Sequence, residues 1–279
     1  VIKPSEPYFI FKNLDNELFR QYNNQINVME LFHVNVMGFQ THRDDFAIAH
    51  SKKEITQRAN DFREPKYSDE ELEKKYKIKD NRDWKISLAR SEISKDHKWD
   101  NKITLCTYRP FDNRYCYFST VMMDYPRKEL VQHVFLKDNL VLGIGRQGVA
   151  IGDGDWCLTT ISKYPIDANV FRRGGIYLCP LYLYSSHSIL NNTERIPNIN
   201  QEMAKNISEK LLLPFINEKE GSRESIAPID IFDYVYAILH SPAYRKKYKE
   251  FLKTDFPRVP YPNDGDTFWH LVKQGGELR

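Results

Sequence analysis

Side chains that carry hydrogen-bond donors are concentrated in short stretches between strand-like segments. Arginine can pair bidentately with guanine O6 and N7, glutamine or asparagine can pair with adenine N6 and N7, and threonine offers a hydroxyl and a methyl group. The same side chains bind phosphates, which set the register on a duplex without reading its sequence. These stretches therefore predict contacts to DNA at Thr41, His42, Arg43, Arg109, Asn113, Arg114, Arg146, Gln147, Arg172 and Arg173.

An internal role is the alternative for several of these arginines. Arg109 and Arg114 flank Asp112 around a turn that contains a proline, so an ion pair could pin that turn. Arg43 stands beside Asp44 and raises the same alternative. Residue types alone do not decide between a contact to DNA and an internal ion pair.

A glycine pattern after an apolar strand suggests a cofactor site only superficially. Gly143, Gly145 and Gly148 spell G-x-G-x-x-G, but that fingerprint must open a helix whose N-terminus holds a pyrophosphate. Here Gly152 and Gly154 follow and lead into another strand-like run. The pattern favours a glycine-rich connection between strands.

Catalytic patterns are equally weak. Pro65, Asp69, Glu73 and Lys75 imitate the carboxylate and lysine set of a metal-dependent nuclease, but they fall on a predicted helix and not on a sheet. The chain has no H-E-x-x-H pair, no nucleophile elbow and no Asp-Pro-Pro-Tyr-like tetrapeptide of the kind that adenine methyltransferases use. We therefore expect no catalytic residue, metal ligand or bound cofactor in this chain, and a binding function.

Charge is nearly balanced over the 279 residues, at +3. The surplus lies in residues 101–185, which carry 10 basic and 7 acidic side chains, while the two flanking segments are each neutral. This permits a phosphate-facing surface in the middle segment and is equally compatible with an ordinary solvated face. The mean hydropathy is -0.61, and no apolar run approaches the roughly 18 residues of a membrane-spanning helix. We expect a cytoplasmic protein that does not enter membranes.

The four cysteines, Cys106, Cys116, Cys157 and Cys179, are far apart in the sequence. None forms the close pairs of zinc ribbons or redox motifs. Each lies in a strand-like apolar run, so we expect four buried, reduced thiols.

Periodicity predicts the coarse architecture. Helices are expected at 15–32, 82–93, 127–135, 199–213, 229–240, 242–253 and 267–274, and Ser51 with Glu54 and Ser68 with Glu71 should cap two more. Strands are expected at 103–108, 115–120, 139–144, 156–161 and 176–184. The predicted fold class is α/β (α+β), with a mixed β-sheet body over 1–184, a linker at 185–198 and a helical C-terminal subdomain over 199–279.

Several segments, in order, resemble the C-terminal specificity region of type ISP restriction-modification enzymes. These are single polypeptides that join nuclease, helicase-like ATPase, adenine methyltransferase and target-recognition parts. The resemblance runs nearly end to end and rests on Pro7 to Phe11, Gly38 to Asp44, Tyr108 to Arg114, Pro180 to Tyr184, Tyr236 to Arg245 and Phe251 to Pro260.

The resemblance implies a role in a larger enzyme. An upstream methyltransferase domain would methylate adenine N6 in an asymmetric double-stranded DNA target, read mainly through the major groove, after flipping the base. S-adenosylmethionine, ATP and Mg²⁺ are expected only in upstream domains, and the start at Val1 suggests a piece of a longer polypeptide. Arg146, Gln147, Arg172 and Arg173 lie outside the strongest motifs and are the better candidates for base readout. Tyr244, Arg245 and Arg258 in the closing signature are expected to brace the fold or to dock the methyltransferase domain.

Two other functions compete with target recognition. One is a fragment that retains part of a methyltransferase or nuclease site, which a bound S-adenosylmethionine or a metal held by several carboxylates would favour. The other is a subunit-docking or RNA-binding module, which basic loops scattered over different faces would favour.

Overall fold

A computed structural model describes residues 16–146, 154–171, 174–185 and 195–279. Its α-helices are α1 (Asn16–Asn23), α2 (Val28–Leu31), α3 (Asp44–Ala47), α4 (Lys52–Arg63), α5 (Asp69–Tyr76), α6 (Ile86–Lys95), α7 (Lys128–Val134), α8 (Gln201–Leu211), α9 (Pro228–His240), α10 (Pro242–Lys247), α11 (Lys249–Leu252) and α12 (Gly265–Leu278). Its strands are β1 (Ile26–Asn27), β2 (Val36–Met37), β3 (Ile48–Ala49), β4 (Ile103–Arg109), β5 (Asp112–Tyr117), β6 (Val141–Gly145), β7 (Thr159–Ser162), β8 (Ile176–Pro180), β9 (Tyr182–Tyr184), β10 (Arg195–Pro197) and β11 (Arg258–Val259). The predicted α/β class is confirmed.

The strands form small antiparallel sheets and not one continuous sheet. A four-stranded sheet has the order β2-β8-β6-β7, and a three-stranded sheet has the order β3-β5-β4. Two further pairs join β1 to β11 and β9 to β10. Strand β6 is buried at every position, and helices pack around these sheets as in an α+β body.

Residues 165–168 connect the two larger sheets. The amide of Thr107, near the end of β4, donates to Pro165 O at 2.9 Å, and the amide of Asp167 donates back to Thr107 O at 3.0 Å. On the other side, the amide of Ala168 donates to Phe39 O at 2.9 Å. Gly38 is required at this crossing, since a Cβ there would lie 2.6 Å from Ile166 O. The segment after β2 and the end of β4 are thereby held side by side.

The capping predictions in the first half are confirmed. The Ser51 hydroxyl accepts a hydrogen bond from the amide of Glu54, and Ser68 and Glu71 form a reciprocal capping box. These caps satisfy amides that the first turn of a helix leaves unpaired. The helices α4 to α6 then pack on the three-stranded sheet around Phe46, Phe62 and Trp84.

The C-terminal third shares a core with the start of the described chain. Helix α9 is buried along nearly its whole length and packs against α12. The ring of Tyr22 in α1 stacks on Phe251 with centroids 4.6 Å apart, and β1 pairs with β11. Leu142 and Ile144 of β6 belong to the same hydrophobic cluster. The division at 185–198 stays a prediction.

Three predicted elements are interrupted in the structure. The helix expected over 15–32 ends at Asn23, because Ile26 and Asn27 pair with β11 and the Asn27 side chain caps a new helix by accepting from the Met29 amide. The strand expected over 176–184 breaks after Pro180, which has no N–H with which to continue the ladder. The helix expected over 242–253 divides at Tyr248 into α10 and α11.

The cysteine prediction is confirmed for three residues and wrong for one. Cys106, Cys116 and Cys179 are buried free thiols, whereas Cys157 is exposed. Cys157 precedes β7 and lies outside any strand, so its neighbours in the sequence are apolar but its own side chain faces solvent.

Candidate nucleic-acid interface

The hairpin β4–β5 presents the second donor-rich stretch. Its two strands are joined by a turn in which Arg109 pairs with Asp112, while Pro110 and Phe111 form the tip. The register shifts between Thr107 and Arg109, as in a β-bulge, so that the end of the hairpin is locally twisted. Phe111 has a φ of 62° and its side chain is fully exposed.

Arg109 is held at the base of this turn. Its guanidinium lies 3.7 Å from the ring centroid of Tyr108 and donates to Asp167 Oδ1 at 3.1 Å and to its own neighbour's carbonyl, Tyr108 O, at 2.6 Å. Asp44 Oδ2 is 3.6 Å away. The side chain is still 33% exposed. Arg109 is therefore partnered by the protein and retains an accessible edge.

Arg114 and Asn113 complete the hairpin surface. The Arg114 guanidinium forms a bidentate pair with Asp112, with Nη2 2.7 Å from Oδ2, and stays 27% exposed. The Asp112 pair predicted as an alternative thus exists for Arg114, while Arg109 pairs with Asp167. Asn113 is exposed and its side-chain oxygen accepts from the Thr107 hydroxyl at 3.0 Å.

The first donor-rich stretch contains a buried threonine. Thr41 is 1% exposed, and its hydroxyl donates to Asp44 and accepts from the Arg43 amide. These bonds shape the turn that precedes α3. Asp44 also accepts a hydrogen bond from the Tyr108 hydroxyl at 2.9 Å, which ties this turn to the hairpin.

Arg43 is buried as well, with a side chain that is 6% exposed. Its guanidinium lies 2.6 Å from Asp124 Oδ1, donates to Thr41 O and stacks 4.0 Å from the ring centroid of Trp84. Desolvation lowers the pKa of Arg43, and the carboxylate of Asp124 opposes that shift. Arg43 is placed as a brace inside the protein.

His42 is accessible beside this brace. Its φ is 53°, its side chain is half exposed, and its Nδ1 lies 2.6 Å from Asp124 Oδ2. The ring meets Tyr125 edge to face. Asp124 therefore orients both side chains. The His42 ring is accessible to solvent, and the Arg43 guanidinium is buried.

Asp167 is an ionisable group that the sequence analysis did not single out. It is 2% exposed, and desolvation raises its pKa to about 6, although a bond from the Asn169 amide and the charge of Arg109 act in the opposite direction. The nearby carboxylate of Asp44 adds to the increase. The side chain that holds Arg109 thus titrates just below neutral pH.

The remaining predicted residues lie apart from the hairpin or outside the described residues. Arg146 is exposed at the end of β6, with its guanidinium 5.4 Å from the ring centroid of Phe256. Gln147, Arg172 and Arg173 fall outside the described residues, as do the Pro7 to Phe11 motif, Gly148 and Gly152. The structure brings together the 41–44 and 108–114 stretches through Asp44.

A groove of about 610 Å³ runs beside the hairpin. Thr107 and Phe111 line one side, and Ser162, Lys163, His240 and Arg279 belong to the other walls.

Within the described ranges, no group of three or more His, Cys, Asp or Glu side chains is arranged to hold a metal ion. No helix in the part of the chain that the structure describes is both long and apolar enough to cross a membrane.

Sequence reasoning missed Asp124, Asp167 and the exposed ring of Phe111. The two carboxylates lie 82 and 58 positions from His42 and Arg109, the residues that they hold, so no local pattern reveals them. Phe111 had a signal in the sequence, since an aromatic residue after proline in a two-residue turn has little to pack against.

The pattern of the Type ISP C-terminal specificity domain matches residues 30–279. The chain belongs to this family. A comparison with curated proteins found no match. This specificity domain resembles three solved structures, each over nearly its whole length.

A cryo-electron microscopy structure of a DrdV–DNA complex matches 99% of this specificity domain, with a TM-score of 0.67 and 22% identity. The ATP-dependent Type ISP restriction-modification enzyme LlaBIII bound to DNA matches 96%, with a TM-score of 0.66 and 21% identity. A nuclease-deletion mutant of the Type ISP enzyme LlaGI in complex with a DNA substrate mimic matches 99%, with a TM-score of 0.61 and 25% identity. The chain spans 27%, 17% and 20% of those chains, respectively.

Proposed function

We propose that this chain is the double-stranded DNA recognition module of a type ISP restriction-modification enzyme. It would position a specific target for N6 methylation of adenine by an upstream domain of the same polypeptide. The observation that carries the proposal is the braced hairpin β4–β5, which offers Asn113 and the edges of Arg109 and Arg114 to solvent in a member of the specificity-domain family. The related LlaBIII and LlaGI structures contain DNA or a DNA mimic, which supports it.

Burial divides the predicted contacts that the structure describes into three groups. His42, Asn113 and Arg146 are exposed and are proposed to contact DNA directly. Arg109 and Arg114 keep partial access and are suited to phosphate contacts, since each is already oriented by a carboxylate. Thr41 and Arg43 act by positioning the turn that holds His42, and Gln147, Arg172 and Arg173 stay predicted contacts.

Catalysis is assigned to other parts of the enzyme. The family belongs to restriction-modification enzymes, and we propose that S-adenosylmethionine, ATP and Mg²⁺ bind upstream of this chain. The module would work in the cytoplasm, where such an enzyme meets DNA. A catalytically active fragment would overturn this assignment, and incubation of the chain with labelled S-adenosylmethionine and DNA would detect one.

Selection from a random duplex pool tests target recognition directly. The 279-residue chain is incubated with the pool, bound duplexes are amplified, and the affinity of the selected duplex is compared with that of a scrambled duplex by fluorescence anisotropy at several salt concentrations. We expect at least about a tenfold preference, because specific readout normally exceeds phosphate binding by more than that. Equal affinity for all duplexes would contradict the proposal, and preference for RNA or single strands would replace it with another binding function.

Asn113→Ala is the matching variant, with Asn101→Ala as its control because Asn101 is also exposed but lies in the 3-10 turn before β4. Loss of a base contact should weaken binding of the selected duplex by about 1–3 kcal/mol and should reduce the sequence preference at one base position. Asn101→Ala should leave affinity unchanged. Thr107, the partner of Asn113, keeps its bond to the Ser162 hydroxyl at 2.6 Å, so the hairpin should stay folded.

A further inference from the structure

We propose that the side chain of Phe111 inserts between two base pairs of the bound duplex and unstacks that base step. The inference rests on the proposed DNA recognition and adds a mechanical role for the hairpin tip. Four features of the hairpin support it: the backbone at Phe111, the exposure of its ring, the bracing beneath it and the side chains around it.

The backbone at Phe111 is unfavourable for its residue type. Arg109 to Asp112 form a four-residue turn with Pro110 second and Phe111 third, and the φ of Phe111 is 62°. Glycine or asparagine is favoured at a third position with positive φ, because a larger side chain meets its own backbone there. Such conformations persist at functional sites when the surrounding structure enforces them.

Folding gains nothing from this ring. Phe111 is fully exposed and is the one aromatic among the large exposed apolar side chains of the described residues. Of the other described non-glycine residues with positive φ, Lys77, Arg127 and Leu212 cap helices, and His42 and Leu136 each lie one residue beyond a helix cap. Phe111 is the exception, since it lies in a hairpin turn.

A wedge must resist displacement, and the base of this hairpin is held by contacts to Asp44 and to residues 165–167. Tyr108 donates its hydroxyl to Asp44, and its ring carries the guanidinium of Arg109 at 3.7 Å and that of Arg114 at 4.5 Å. Arg109 is fixed by Asp167, and Arg114 by Asp112. The strand β4 is also tied through Thr107 to residues 165–167. The tip therefore projects from a rigid support.

The side chains around the tip match a DNA partner. Proteins that kink a duplex combine Arg or Asn donors with an apolar side chain that wedges between base steps. Here Asn113 and the accessible edges of Arg109 and Arg114 stand on the hairpin that carries Phe111. An aromatic ring can also stack on an adjacent base, whatever that base is, so the wedge needs no particular base identity.

The test uses the duplex selected from the random pool, labelled at both ends for energy transfer and probed with permanganate, which oxidises unstacked thymines. Phe111→Asn removes the ring and suits the positive φ, while Phe111→Tyr keeps an aromatic plane. Leu212→Asn is the matched control, because Leu212 is also exposed with a φ of 55° but caps α8. Melting temperatures check that all variants are folded.

We expect wild type and Phe111→Tyr to shorten the end-to-end distance of the duplex and to expose a reactive thymine at one step. Phe111→Asn should abolish both signals and weaken binding by about tenfold, within the range typical for loss of one aromatic–base stack. Leu212→Asn should behave as wild type. If Phe111→Asn proves unstable, Phe111→Gly provides the same comparison, since glycine adopts a positive φ without strain.

The outcomes separate the two proposals. A straight, fully stacked duplex in the wild-type complex, or equal signals from wild type and Phe111→Asn, overturns the wedge and leaves DNA recognition standing. Failure of the wild-type chain to bind any duplex overturns both. Loss of binding in Phe111→Asn without any change in duplex stacking in the wild-type complex assigns Phe111 to an ordinary surface contact and also overturns the wedge.

Discussion

Buried charge decides the role of Arg43. Its neighbour Asp124 is completely buried and holds both Arg43 and His42. A buried carboxylate that loses its cation remains desolvated without compensation, which is far more costly than breaking an exposed pair. Arg43 therefore contributes to the stability of the protein, while His42 contributes to its exposed surface.

Arg43→Ala should lower the free energy of unfolding by about 3 kcal/mol, because the buried Asp124 carboxylate loses its guanidinium partner and the His42 ring and the Asn81 amide compensate for it only in part. Urea denaturation measures the change. Arg82→Ala is the control, since Arg82 is largely exposed in its pair with Asp83 and should change stability by less than about 1 kcal/mol. Similar effects from the two variants would show that Asp124 reaches solvent when Arg43 is removed.

Asp167 should make stability depend on pH below neutrality. Its folded pKa is about 6 and its ordinary value is 3.8, so the folded state holds a proton that the unfolded state releases between those values. Asp167 contributes at most about 3 kcal/mol to the free energy of unfolding. This contribution is fully present below about pH 4 and is lost as the pH rises through 6.

Asp167→Asn removes this titration. The stability of the variant relative to that of the wild type should therefore increase as the pH rises from 4 to 7. Denaturation at both pH values gives the difference. Asp112→Asn should leave the pH dependence between pH 4 and pH 7 nearly unchanged, because the Arg114 guanidinium holds the pKa of Asp112 below its ordinary value of 3.8 and this carboxyl is therefore ionised in both states over most of that range. A difference between Asp167→Asn and wild type that does not vary with pH would contradict the raised pKa.

At the scale of elements, the C-terminal helices meet at a contact that only glycine permits. Helix α12 crosses α9 so closely that a Cβ on Gly275 would lie 1.9 Å from Asp233 O. Arg279 at the end of α12 donates to Asp233 from Nε at 2.8 Å. Close backbone approach and this ion pair hold the two helices in one register.

Gly275→Ala should force α12 away from α9 and reduce the free energy of unfolding by about 3 kcal/mol or more, because overpacking against backbone cannot be relieved by a side-chain rotation. Thermal and urea denaturation measure it. Gly265→Ala at the start of the same helix meets no atom within 4 Å and should be neutral or slightly stabilising. Equal stability of the two variants would mean that the helices can shift apart without lowering the free energy of unfolding.

At the scale of the whole molecule, the ends of the described chain close the same core. Tyr22 and Val28 from the first helices share a cluster with Leu142 from the sheet and with Phe232 and Phe268 from the last helices. The hairpin that carries Phe111 packs in a separate cluster formed by residues 39–123. Residues 165–168 bond to Thr107 and Phe39 beside this second cluster, while Ile166 belongs to a third, smaller cluster with Val141 and Leu178 of the four-stranded sheet.

A chain that ends at residue 198 should lose its fixed tertiary packing, because the apolar surface of α1 and β6 would face water without α9 and α12. Near-ultraviolet circular dichroism and binding of a hydrophobic dye measure this loss, with the full chain as control. Cooperative unfolding of the shortened chain would instead support residues 199–279 as an independent subdomain.

Much of the fold is predictable because its signals are local. The caps at Ser51 and Ser68, the strands of the hairpin and the helix ending at His240 follow from periodicity and turn chemistry. The interruptions are not local, since Ile26 and Asn27 leave the helical conformation to pair with β11 more than 200 positions away. Local propensity cannot anticipate such pairing.

The sequence by itself determined the α/β class, the family and the two stretches that carry the donors, because residue type and spacing are properties of short segments. Only the tertiary structure decided that Arg43 and Thr41 are buried, that Asp167 holds Arg109, and that Phe111 is exposed with a positive φ. Exposure and charge pairing depend on residues far apart in the chain, and these are what separate a side chain that braces the protein from one that meets a partner.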